Sequence, residues 1–217
     1  MLTRAACAAV VTLLASLAGA AAAYAQQTSD DIPTAVSPPS TPTEVAVGVE
    51  LIGLSQVSEP SDPFPTIDVE VFINVSWLDP RLASEPADGP PIVFQEEEAE
   101  EKLSEIWSPD IEIQNEVEQR ATESVQLTIF PDGAVDYEER FGATLNAELD
   151  LHEFPFDRQA LDMELQAFVW DRTELLLVAN EAQTGFDEGF LTPEWSVTGV
   201  ETLIGSRSDV RDDREFS

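Results

Sequence analysis

Two phenylalanines stand out of register in an otherwise regular pattern. Between Ile67 and Trp77 the odd positions are apolar, while the even ones read Asp68, Glu70, Phe72, Asn74 and Ser76. Between Leu161 and Phe168 the even positions read Asp162, Glu164, Gln166 and Phe168. A period of two belongs to a half-buried strand, so Phe72 and Phe168 each place a ring on a polar, solvent-facing surface. Such a ring is costly to expose unless something covers it. Glu112 lies in the polar phase beside Ile111 and Ile113, where its carboxylate could pair with a cation. Gln166, two residues before Phe168, is a neutral polar candidate.

Catalysis has little to work with. The chain has one histidine, His152, and one cysteine, Cys7, so Ser-His-Asp and Cys-His mechanisms would both need His152, which has no evident orienting partner. Zinc sites built from histidine and cysteine are excluded, and neither a metal nor another cofactor is expected. Paired carboxylates of the glycoside-hydrolase kind are available among 43 acidic residues, but that abundance makes any one pair uninformative. No catalytic residue is assigned and no enzyme is expected. The formal charge of -33, with Lys102 the single lysine, argues against nucleic-acid binding. It suits a surface that attracts cations or tolerates high salt.

The elements that must position these residues follow from the N-terminus onward. Residues 1–25 read as a secretory signal peptide: Arg4, an apolar stretch to Ala23, then the small-x-small pattern Ala23-Tyr24-Ala25. Cys7 would leave with it, so the mature chain would carry no disulfide. Residues 26–43, with Pro33, Pro38, Pro39 and Pro42, read as a flexible linker. Residues 44–217 alternate repeatedly between apolar and polar, with turn signals such as Pro131-Asp132-Gly133 between the runs. That predicts an all-β fold, an antiparallel β-sandwich with one core. A short helical piece is predicted over Gln95–Glu105, where the run of glutamates would repel itself. No stretch after the signal reaches the roughly eighteen apolar residues of a membrane span.

Several blocks resemble a known family. Phe154-Pro155-Phe156-Asp157, then Gln159, is similar to the signature loop of pentameric ligand-gated ion channels, the Cys-loop receptor superfamily. The family's two loop-closing cysteines fall on Ala147 and Leu161, as in its bacterial branch. Trp77-Leu78-Asp79-Pro80-Arg81-Leu82 resembles the Trp-x-Asp-x-Arg-Leu closing the family's second strand. Trp107-Ser108-Pro109-Asp110-Ile111, with Asn115 beyond, resembles its first ligand-binding loop.

The resemblance implies an immunoglobulin-like extracellular domain of about ten strands with a short N-terminal helical piece, the last strand missing here after Phe216-Ser217. It places Phe72, five residues before Trp77, and Phe168, seven after Leu161, on opposite sides of one subunit interface. There such rings hold an amine or ammonium, each worth ~0.5–2 kcal/mol. It adds Glu112 and Gln114 on the first loop, Gln166 beside Phe168, and Phe216 at the end of a mobile lid over 205–215. It implies a gating surface of Asp62, Phe154, Pro155, Phe156 and Asp157, pressed on a transmembrane domain missing from this chain. The implied partners are four further copies in a homo-pentamer and a small ligand, an amine or other small cation being favoured. The implied location is the periplasmic or extracellular side, on the inner membrane if a channel domain follows. The alternative is a soluble secreted binding protein of the same fold.

Overall fold

The odd positions of Ile67–Trp77 do what their period demands. They line the buried face of β2 (Thr66–Leu78), where Ile67, Val69, Val71, Ile73, Val75 and Trp77 are all inside. The computed structural model describes residues 37–57, 65–147, 159–187, 196–205, 207–208 and 215–216. The expected signal peptide, most of the linker, Asp62 and the Phe154–Asp157 loop lie outside these residues. Thr43, the last residue assigned to the linker, already begins β1 (Thr43–Val57), and its N–H donates to the Glu174 carbonyl at 2.8 Å.

β1 and β2 pair antiparallel, and β2 pairs along its whole length with β6 (Ala134–Asn146). β6 pairs in turn with β5 (Ala121–Ile129), and β5 with the edge strand β3 (Ile92–Gln95). On the other flank β8 (Leu175–Ala179) and β9 (Gly185–Phe186) both lie against β1. These last two pairings are parallel, so the large sheet is mixed where a purely antiparallel one was expected. A second, two-stranded ribbon consists of β4 (Ile111–Ile113) and β7 (Leu165–Ala167). A third pair joins β10 (Arg207–Ser208) to β11 (Glu215–Phe216). The alternating run from Leu161 is a strand only over Leu165–Ala167. Val197, within the stretch 44–217 expected to alternate, lies in no strand.

The predicted helix forms as α1 (Glu97–Glu105), two residues later than expected because Gln95 is taken by β3. Its carboxylates are tolerated because Glu97, Glu98 and Glu100 sit in the first turn, at the positive end of the peptide dipoles. Pro131-Asp132-Gly133 makes the β5–β6 hairpin, with Gly133 at φ 87°. A Cβ on Gly133 would meet the Asp79 carbonyl at 2.4 Å, so glycine is required twice over. That carbonyl belongs to the Trp-x-Asp-x-Arg-Leu block, whose role is structural. Asp79 is fully buried, accepts from Arg81 Nε and Nη2 at 2.7 Å each, and caps the 3-10 turn Pro80–Leu82.

A second carboxylate, besides Asp79, is buried. Glu139 occupies the apolar phase of β6 between Tyr137 and Phe141 and is 2% exposed. Arg120 donates to both its oxygens at 3.2 and 2.9 Å, Thr122 Oγ1 donates at 2.6 Å and Tyr137 Oη at 3.0 Å. The Arg120 guanidinium also lies 5.1 Å over the Phe141 ring. A buried ion pair is strongly destabilising only when one member is removed. Glu139→Leu and Arg120→Met should each cost ~3–5 kcal/mol in urea unfolding, and the double variant should recover most of that loss. Burial, and secondarily the neighbouring Glu139 charge, push the Tyr137 phenol above its ordinary value of 10.0. A group whose folded-state pKa is raised adds stability that is fully present below its unfolded value and lost as pH rises past it. Stability should therefore fall above about pH 10, and Tyr137→Phe should flatten that alkaline limb in pH-dependent melting curves.

Candidate functional site

The ribbon of β4 and β7 is built so that one face is dry and the other wet. Ile113 and Ala167 are buried, with Ile111 and Leu165 half-buried on the same side. The opposite side carries Glu112 directly across from Gln166. The ladder extends at both ends: the Phe168 N–H donates to the Asp110 carbonyl at 3.2 Å, and the Gln114 N–H to the Glu164 carbonyl at 2.8 Å. Phe168 is 58% exposed. Its ring thus stands at one end of a strip bearing Asp110, Glu112 and Glu164, all exposed, together with Gln114 and Gln166. Asp110 adopts φ 54°, a left-handed conformation that bends the chain into β4 and turns this corner outward.

Two anchors hold the strip in place. Asn115 Nδ2 donates to the carbonyls of Asn146 and Asp162 at 3.1 and 2.8 Å, and its Oδ1 accepts from the Glu164 N–H at 3.1 Å. One side chain thereby ties β4 both to the strand opposite and to the end of β6. At the other end Trp107, fully buried, packs against Trp77 and Trp170 with ring centroids 6.0 and 5.8 Å away. Trp170 Nε1 donates to the Ser108 carbonyl at 3.3 Å.

Phe72 lies elsewhere, on the outer face of the large sheet, half-buried between its cross-strand neighbours Glu50 and Arg140. Arg140 pairs with Glu70 through Nε (2.8 Å) and Nη2, and its Nε reaches Glu123 at 3.1 Å. The hydrogen bond and charge of Glu70 raise the Arg140 pKa further. With that cation engaged, Glu50 and Glu138 leave the Phe72 surface acidic. The fold therefore brings Glu112, Gln114, Gln166 and Phe168 onto one strip, and sets Phe72 on another sheet. Phe216 pairs with Arg207 in the β10–β11 hairpin. The gating residues Asp62, Phe154, Pro155, Phe156 and Asp157 lie outside the described residues. Asp110, Glu164, Glu50 and Arg140 were not singled out in the sequence. All four sit in polar phases that alternation exposes, but only strand register reveals which ring each one flanks.

Comparison with known proteins gives the following. The family model described as neurotransmitter-gated ion-channel ligand binding domain matches residues 27–214. The proton-gated ion channel of Gloeobacter violaceus is 29% identical over 184 residues, covering 82% of this chain and 49% of that protein. The gamma-aminobutyric acid receptor subunit rho-2 of Bos taurus is 28% identical over 137 residues, covering 61% and 28%. The neuronal acetylcholine receptor subunit beta-4 of Gallus gallus is 23% identical over 167 residues, covering 75% and 34%. The chain spans about half the length of the first and about a third or less of the others. Among the described residues no helix is long and apolar enough to cross a membrane.

If Asn115 is what holds the strip, Asn115→Ala leaves backbone groups of Glu164, Asn146 and Asp162 without their partner. The expected loss is ~1–3 kcal/mol, together with faster amide exchange at Glu164 and Gln166 read by hydrogen–deuterium exchange.

Proposed function

The chain belongs to the neurotransmitter-gated ion-channel ligand-binding domain family, and from that premise we propose that it senses a small cation for a homo-pentameric channel. The ligand is held where two copies meet. One copy contributes Phe168 with Glu112, Gln114 and Gln166, and its neighbour contributes Phe72. Phe216 closes the site from the hairpin that carries Arg207. The domain faces the periplasm, reached by way of the 1–25 signal peptide. Asp62 and the Phe154–Asp157 loop pass the movement to a pore domain.

The observation that carries this reading is the acidic setting of Phe168. An exposed ring framed by Asp110, Glu112 and Glu164 attracts a cation twice, through its quadrupole and through its neighbours' charge. The Phe72 surface matches it in sign, because its arginine is already paired. A ligand shifts a gating equilibrium only by its difference in affinity between the two states. Contacts split across an interface supply such a difference when neighbouring copies move.

The test is a calorimetric screen of small amines against the wild-type chain. Phe72→Ala and Phe168→Ala should each weaken a hit by about 2- to 30-fold, the range of one cation–π contact. Because the site is shared, mixing the two single variants should restore both rings at about a quarter of the interfaces of randomly assembled rings. Hits indifferent to both substitutions, or a mixture that regains no binding, would count against the shared site.

A further inference from the structure

Between the sheets lies a cavity that plays no part in the surface site. Its volume is about 290 Å³. The inner faces of β1, β2 and β8 line it with residues such as Val49, Val71 and Leu177, together with Leu161, Met163 and Leu165. Phe72 belongs to the outward phase of β2 and Phe168 to the outward phase of the ribbon, so both face away from it. The space is about twice the ~150 Å³ of an apolar cavity that stays dry and takes up benzene.

Three features say what would fill it. The walls are aliphatic, with Thr184 and Thr202 the hydroxyl-bearing residues among them. The charged residues lining it, Asp162 and Glu201, are both acidic and both exposed, and among the described residues no lysine or arginine lines it. The segment Val200–Gly205 also lines it, yet Leu203 is 85% and Ile204 62% exposed. Two large aliphatic side chains thus stand in solvent beside an unfilled apolar space, on a segment that forms no strand.

We propose that this cavity binds a small hydrophobic amine, its apolar body seated between the sheets and its ammonium group at Asp162 and Glu201. Leu203 and Ile204 fold down over the occupant. An apolar interior with few convergent polar groups is the usual make-up of a small-molecule site. The two rim carboxylates, in a chain of net charge -33, select the cation over the anion.

The test is thermal melting of the full chain with three matched probes: 2-phenylethylamine, ethylbenzene and phenylacetate. The amine should raise Tm saturably, ethylbenzene less, and phenylacetate not at all. The gain should persist in the Phe72→Ala Phe168→Ala double variant, which removes the surface rings, and disappear in Val49→Phe, which fills the cavity. Asp162→Asn with Glu201→Gln should weaken the amine about three- to tenfold, as expected for exposed charges, and leave ethylbenzene unchanged. The proposal is overturned by the absence of a saturable shift with the amine, or by stabilisation that follows Phe72 and Phe168. Equal amine binding after the carboxylates are neutralised overturns it too. Leu177→Phe provides a second filling variant. If both filling variants unfold the protein or lower its Tm, the chain already occupies this space and the proposal fails.

Discussion

A column of three tryptophans sets the two layers in place. Trp77 comes from β2 of the large sheet, Trp107 from the turn into β4, and Trp170 from the turn out of β7. They meet at 6.0 and 5.8 Å with interplanar angles of 82° and 50°. Edge-on and tilted pairs of this kind add ~0.5–1.5 kcal/mol each beyond the area they bury. The second layer needs that help. A ribbon of two three-residue strands cannot persist by itself, and its position against the sheet rests on these rings and on Asn115. Phe168 is two residues from Trp170, so the orientation of the exposed ring is inherited from the buried one.

Charge is distributed just as unevenly. Arg81 is turned onto Asp79, Arg120 onto Glu139, Arg140 onto Glu70 and Glu123, and Lys102 onto Glu105. The first two engage carboxylates that are almost wholly buried, where an unpaired charge is costly. These four cations are thus committed to specific acids, while Asp110, Glu112 and Glu50 stand exposed. Both surfaces proposed for ligand contact are acidic for this reason. Salt should damp that field, since exposed charges more than about 10 Å apart are screened at ordinary ionic strength.

Much of this is legible in the sequence, because burial and period are coupled. Phase alone separated inward Ile67, Val71 and Trp77 from outward Phe72, and inward Ala167 from outward Phe168. The hairpin at Gly133 was marked by its turn chemistry. What phase cannot supply is register. Nothing in the order of residues states that Arg140 stands beside Phe72, or that Phe168 extends the ladder at Asp110. Those depend on how far strands slide before they lock, which the whole sheet decides. The inward Glu139 could have been noticed from its parity, but its meaning required Arg120, Thr122 and Tyr137 to arrive from other positions. The parallel lie of β8 and β9 was hidden for the same reason, since strand direction is a property of the connections.

β1 shows how that sliding is stopped. Its pairing with β2 is regular from Val45 to Leu51, then shifts between Leu51 and Gly53 and again between Leu54 and Gln56. Without those irregularities two valine-rich strands of identical period would fit almost as well two residues out of place, since such a slip keeps every apolar side chain inward. The extra residues break that degeneracy like the notches of a key. The first also exchanges the parity of the strand, so that Leu54 points inward where odd-numbered positions did before, and the second exchanges it back. A deletion at Ile52 would therefore leave Gly53 opposite Glu70 and Leu54 opposite Val69 with their faces unchanged, removing the notch and not the pairing.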